Sequence, residues 1–554
     1  MIQFRILLII YSSIIFFVSF ILLRYAFAIE VYVKEDKSKL KFKWMIVLLF
    51  LILLPRILHM IYYYGSFASP DSYAHIRYSH LIILEGSVLK SDLINYYYIS
   101  FPIFSLMIAM ISIVTSLHPL YSYTLFHVLS LGLISSCITL LLILIGARKD
   151  NFTPLTGALL LVGSIYLYGY FDTFVPNLVS VLALSMMLIA TFKRANTLLL
   201  LFSVFGLVHI TTIPIYVAIA LVFISIRKLT IRGSDEKGML DRKITISLIR
   251  TIIFPLAIWL SYLVYSYARL SLRGALLSFS TYWKRVATEA SISFVDGNAR
   301  PLAIINAIGP SLIIGSTAAY AMFFLYFAIA RHFKFSEQDT RLASISLVSI
   351  LLLGVSSLWQ FIRIAVPYGS PGWTRYLGIP AFFLSIVTST LTLKKIFTLH
   401  RMGKLYIRLL SSMFLFLLIV GAIGGLMDPF TFKTSNNSFL LSVSQNTRLD
   451  KEAVFLVKYT SVNTELNLIG ETSTLSYIVN DIYYLNNSLS IKTLRTGLKG
   501  GVYYKDIELI EFLENPSRYN NALVVVTIGD KYIEESLTYF NTVYHDGEYY
   551  ILTS

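Results

Sequence analysis

Cysteine and charge are what this 554-residue chain has least of. Its one cysteine, Cys137, lies inside an apolar run, which excludes a disulfide framework and a cysteine metal site. Charged residues make up 14% of the chain, where an ordinary soluble domain carries about a quarter. Hydrophobic residues make up 56%, and the mean hydropathy is +0.71. Together these values exclude a soluble enzyme and describe a polytopic α-helical membrane protein. A glycine-rich nucleotide loop is also missing, as are fixed-period repeats and low-complexity linkers. A nucleotide-binding site is therefore not expected.

The net charge of +16 would suggest nucleic acid in a soluble chain, but its distribution argues against that partner. Residues 1–427 hold 36 Lys/Arg and 15 Asp/Glu, and residues 428–554 hold 10 and 15. The basic excess sits in the apolar part, where positive connectors set orientation.

Apolar segments near 6–28, 44–64, 123–146, 155–170, 175–192, 196–210, 212–226, 247–268, 302–330, 342–358, 376–393 and 405–426 predict about twelve spans. The first is too long for the core of a signal peptide and is read as a retained span. Connectors at 34–43, 148–149, 193–194, 227–243, 331–341 and 394–404 are Lys/Arg-rich and alternate, which assigns them to the cytoplasm. The loop 65–122, the turns near Asp172 and His209, the loops 269–301 and 359–375, and everything after 427 then face outward. The short apolar stretch Phe101–Leu117 is expected to lie in the outer leaflet rather than cross it.

At Asp428-Pro429 the pattern changes. Strand-like runs at 466–469, 522–528 and 548–552 alternate with helical patterns at 449–459, 474–485, 506–514 and 531–540, predicting a small extracytoplasmic α/β domain over 428–554. Asp546-Gly547 predicts a hairpin turn between 541–544 and 548–551.

On the outward face of residues 1–427 the acids are Asp71, Glu85, Asp92, Asp172, Glu289 and Asp296, so any carboxylate chemistry there must draw on these six. Asp71 opens Ser69-Pro70-Asp71-Ser72-Tyr73-Ala74-His75-Ile76-Arg77. If Pro70 starts a helix, Asp71 suits its positive end, and His75 stands one turn further on the same side. Two readings stand: Asp71 caps an interfacial helix with Tyr73, Ile76, Leu81, Ile82 and Ile83 as its apolar stripe, or Asp71 with His75 is acid-base machinery. Asp172 and His209 mark two more polar turns, each readable as a cap or packing residue or as part of a site.

Arg375 enters its span from the outer side, against the positive-inside preference, and so asks for an anion. Arg363 and Arg77 are further cationic candidates. One base and one cation would suffice for sugar transfer from a lipid phosphate, because phosphate leaves as an anion and needs no protonating acid. Nothing in the spacing demands a metal; a divalent cation, Mg or Mn, would draw on Asp71, Asp172 and His75.

The stretch Ser69–Arg77, with Leu84-Glu85-Gly86 and Ser100-Phe101-Pro102-Ile103-Phe104, resembles the first external loop of the GT-C superfamily of membrane glycosyltransferases. Arg148-Lys149, the Asp172 and His209 turns and Arg375-Tyr376-Leu377 follow in a similar order, so the resemblance covers residues 44–427. It implies an inverting glycosyl transfer from a polyprenyl- or dolichyl-phosphate-linked sugar, or a pyrophosphate-linked one, to a glycan, lipid or protein acceptor at the outer surface of the cell membrane. Asp71 matches the loop-one acid and Arg375 the phosphate-contacting residue. Two features depart from the pattern: the Trp-Trp-Asp-Tyr-Gly signature of oligosaccharyltransferases is missing, and the first span is additional. The alternative from another class is a transporter or lipid flippase; a noncatalytic scaffold displaying the tail is a third reading.

Overall fold

The computed structural model describes residues 2–30, 70–86, 102–145, 152–164, 175–231, 239–265, 301–329, 336–365, 373–402 and 405–432, single positions between 46 and 57 and at 455, and five strands beyond residue 464. The helices are α1 (Ile2–Glu30), α2 (Pro70–Glu85), α3 (Ile103–Thr115), α4 (Pro119–Ile145), α5 (Phe152–Gly163), α6 (Pro176–Phe192), α7 (Asn196–Phe205), α8 (Thr212–Ile231), α9 (Met239–Tyr265), α10 (Pro301–Ile329), α11 (Glu337–Ala365), α12 (Trp373–Met402) and α13 (Leu405–Phe432). A 3-10 turn, Gly206–Val208, extends α7.

Among the described residues, five stretches are long and apolar enough to cross a membrane: Pro119–Ile145, Ile305–Ala328, Glu337–Ser356, Leu377–Leu399 and Leu405–Gly425. The chain is a helical membrane protein by that measure. Among the described residues, helix lies over part of each apolar segment seen in the sequence, with residues 46, 47, 49–54 and 57 helical in the second.

Hydrocarbon offers backbone groups no water, so hydroxyls inside the bundle must find partners in the protein. Ser185, Ser316, Thr388, Thr390 and Thr392 donate to the carbonyls of Val181, Leu312, Leu384, Ile386 and Thr388, one turn back along their own helices. Others join helices: Ser389 donates to Ile313 O at 2.8 Å, and Thr317 donates to Ser385 O at 3.1 Å. These bonds fasten α10 to α12, the most buried of the five long apolar stretches.

Small residues set the approach of the other helices, as expected where apolar burial cannot drive association. At Gly309 an added Cβ would stand 2.1 Å from Gly163 O, and at Gly425 1.9 Å from Val162 O, so α5, α10 and α13 cross backbone to backbone. The additional helix α1 is part of this bundle. Its Ser12 carbonyl and Ile15 side chain press on Gly315 of α10, while Phe20 meets Phe323 and Tyr326 edge to face.

The ends of the helices sort as the charge pattern expects. Arg341, near the start of α11, donates to Leu144 O at the end of α4 and to Phe192 O at the end of α6. Lys395, toward the end of α12, reaches Asp339 at the start of α11. The ends assigned to the cytoplasm meet one another, and α2, α3 and the His209 turn lie at the opposite end.

The strands β1 (Glu465–Glu471), β2 (Ser490–Thr496), β3 (Ala522–Thr527), β4 (Asn541–His545) and β5 (Tyr549–Thr553) form one mixed sheet in the order β2-β1-β3-β5-β4. Strands β2, β1 and β3 are parallel, and β3, β5 and β4 antiparallel. The expected hairpin is the β4–β5 pair, with a bulge between Thr542 and Tyr544. The strand β2 was not anticipated, because Ser490-Ile491-Lys492-Thr493-Leu494-Arg495-Thr496 puts apolar side chains at only two positions. The helices expected between these strands lie outside the described residues.

Candidate functional site

Helix α2 begins at Pro70, so Asp71 stands in its first turn. Proline suits that position because its missing N–H would have had no helical partner. The helix packs on α3 and on the first turns of α4. Its buried face carries Ser72, His75, Ile76, Tyr78, Ser79 and Ile82, while Leu81 and Ile83 are only half-buried. Of the apolar residues named for this helix, Ile76 and Ile82 are on the packed side, and two serines and a histidine share it. Hydrogen bonds engage Ser79 and His75. Ser79 donates to His75 O at 2.7 Å, and His75 Nδ1 bonds Ser105 Oγ of α3 at 3.1 Å.

The His75 ring meets Phe104 edge to face at 4.7 Å, and Phe104 in turn packs on Tyr123 and Phe126 of α4. Burial holds the His75 pKa down to about 3, so the imidazole is neutral at ordinary pH. One turn nearer solvent, His80 stacks on His118 with ring centroids 5.6 Å apart. Leu120 N donates to His118 Nδ1 at 3.3 Å. Burial lowers the pKa of both, and for His118 the charge on His80 lowers it further. This pair, which fixes α2 to the α3–α4 turn, escaped sequence reasoning because its members lie 38 positions apart.

His209 follows the 3-10 turn and is buried. Its Nδ1 is hydrogen-bonded with Thr211 Oγ1 at 2.9 Å and accepts from Thr211 N at 3.4 Å, and Trp259 Nε1 of α9 donates to the neighbouring Ile210 O at 3.1 Å. The turn is a packed corner, and it touches α3.

Arg363 lies in the last turn of α11 and Arg375 in the first turn of α12. Those ends are opposite the Lys395–Asp339 contact, so they share the end of the bundle that carries α2 and the His209 turn. Arg77 is on α2, two positions after His75. Asp172 lies outside the described residues. Of the predicted residues, the structure gathers the backbones of Asp71, His75, Arg77, His209, Arg363 and Arg375 at one end, and it fixes the side chains of His75 and His209. Among the described residues, no group of three or more His, Cys, Asp or Glu could hold a metal ion.

No family model matches the chain, and no curated protein matches it. Among solved structures the chain is similar to the crystal structure of the Archaeoglobus fulgidus oligosaccharyltransferase in the apo form. The identity is 12%, the TM-score 0.46, and the match covers 88% of this chain and 69% of that one, a likeness too low to argue activity from.

Proposed function

We propose that this chain is a GT-C-type glycosyltransferase that crosses the membrane about twelve times and carries its C-terminal sheet outside as an α/β domain. It moves a sugar, with inversion, from a polyprenyl-phosphate- or pyrophosphate-linked donor to an acceptor at the outer face. Asp71 takes the proton from the acceptor hydroxyl as that oxygen attacks the anomeric carbon. The bond from that carbon to the phosphate oxygen breaks, and the phosphate departs as an anion held by Arg375, with Arg363 beside it.

The observation that carries this reading is the start of α2 at Pro70. It puts the backbone of an acidic residue in the first turn of a helix pinned by the His75–Ser105 bond, at the same end as the arginine-bearing start of α12. His75, neutral and packed between Ser105 and Phe104, is a positioning residue here. Asp172, Arg77 and His209 are retained as further candidates for this site. A divalent cation, Mg or Mn, would be held by Asp71 with Asp172, since His75 is engaged with α3.

The test is transfer from a lipid-linked sugar by the reconstituted full chain. Asp71→Asn should abolish transfer while retaining donor binding, and full transfer in that variant refutes the assignment.

A further inference from the structure

The parallel half of the C-terminal sheet reverses its direction of travel. From β1 the chain steps outward to β2 and then returns past β1 to β3, with all three strands parallel. Parallel neighbours are joined by right-handed crossings, and crossings made in opposite directions take opposite faces of a sheet. Open sheets of this order bind ligands in the crevice beyond the carboxyl ends of the two strands where the order reverses, here β1 and β3.

The register brings hydrogen-bonding residues to that edge. Strand β1 ends in Gly470-Glu471, β2 in Arg495-Thr496 and β3 in Val526-Thr527. Glu471 pairs with Thr496, and Thr527 pairs with Tyr549, the first residue of β5. Because Gly470 pairs with Val525, Glu471 stands at the level of Val526, one position before Thr527. An acid, two threonines and a tyrosine thus occupy one edge across four neighbouring strands.

Gly470 is a separate observation. Glycine weakens a strand, and inside one it marks a bulge, a bend or a place where a ligand or another backbone comes close. The register runs through Gly470 unbroken on both sides, to Arg495 and to Val525, so no bulge accounts for it. It stands one residue before the end of β1, beside the reversal of strand order.

We propose that this edge binds a neutral saccharide, the acceptor glycan. A carboxylate accepts from sugar hydroxyls, threonine hydroxyls donate and accept, and tyrosine combines an apolar ring with a polar tip. That set suits a ligand with many hydroxyls and apolar ring faces. Calling the ligand the acceptor rests on the glycosyltransferase reading and on the outward placement of the sheet; the binding itself depends on neither.

Full-length protein in detergent, titrated with maltotriose, chitotriose and mannotriose and read by saturation-transfer NMR, tests it. At least one trisaccharide should bind, and Glu471→Gln and Thr527→Val should each weaken it about tenfold, one hydrogen bond's share. Both substitutions keep the size of the side chain, so the sheet is retained. Glu465→Gln, at the opposite end of β1, should bind as the wild type does. Binding of none of the three, equal binding by the wild type and both edge variants, or the same loss in Glu465→Gln overturns the proposal. Asp71→Asn should keep saccharide binding and lose transfer. A wild type that binds a trisaccharide but transfers no sugar upholds the crevice and refutes the glycosyltransferase reading, whereas transfer without trisaccharide binding does the reverse.

Discussion

Gly309 and Gly163 meet backbone to backbone: a Cβ on Gly309 would stand 2.1 Å from the Gly163 carbonyl oxygen and 2.8 Å from its carbon. Neither backbone can yield, because Gly421 of α13 lies against Gly309 from another side, its own added Cβ falling 2.9 Å from Gly309 Cα. The junction of α5, α10 and α13 therefore depends on hydrogen atoms where any other residue has carbon. Gly309→Ala should cost about 3 kcal/mol or prevent assembly, at the upper end of overpacking effects. Gly354, with nothing within 4 Å of its added Cβ, is the control; Gly354→Ala should stabilise by roughly 0.5 kcal/mol through helix propensity. Thermal unfolding in detergent compares the two.

Acid should destabilise the bundle through its buried histidines. The folded-state pKa of His75 is about 3, below the unfolded 6.5. The unfolded chain then binds more protons, so stability is full above pH 6.5 and is lost as the pH falls toward 3. At pH 5 this group should cost about 2 kcal/mol. The lowered values at His80 and His118 act in the same direction. Melting at pH 7.5 and 5.0 measures the slope; His75→Asn should flatten it, and an unchanged slope in that variant would place the titration elsewhere.

Lys395 Nζ lies 3.2 Å from Asp339 Oδ1, and the same carboxylate accepts from Ser336 Oγ at 2.7 Å and from Tyr320 OH at 3.3 Å. Asp339 N donates back to Ser336 Oγ at 3.1 Å, a reciprocal cap on α11. Lys395→Met leaves a mostly buried carboxylate without its cation and should cost about 2 kcal/mol, less than for a fully buried pair because both partners keep some exposure. Adding Asp339→Asn should recover most of that loss. A double-mutant cycle by thermal melting checks the coupling.

Arg375 and Arg363 separate in steady-state kinetics if Arg375 holds the donor phosphate. Arg375→Ala should raise KM for the lipid-linked sugar by about 10-fold to 100-fold, the loss of one charge-assisted bond. Arg363→Ala, on the neighbouring helix end, should have the smaller effect. Unchanged donor affinity in Arg375→Ala removes it from the site. Assay with and without a chelator decides whether a cation held by Asp71 takes part: lost transfer that Mg or Mn restores places one there.

The sequence by itself determined the class of the molecule and the order of its parts. Low charge with long apolar runs leaves only helices in a bilayer, alternating basic connectors determine which helix ends share a face, and Pro70 with an acid at the next position marks the start of α2. These signals are local, and local signals survive in a single chain. Tertiary structure decided what each polar group meets. The sequence shows His75 one turn after Asp71, but not that Ser105, 30 positions away, bonds its Nδ1, nor that packing buries the ring and keeps it neutral. It shows a basic connector at 331–341, but not that Glu337 and Asp339 within it each collect cations from other helices. Nor does a glycine reveal whether it faces lipid, as an open position like Gly354 would allow, or another backbone, as Gly309 does. Such pairings depend on the rotation and crossing of whole helices, which the packing of small residues sets and no short-range periodicity records.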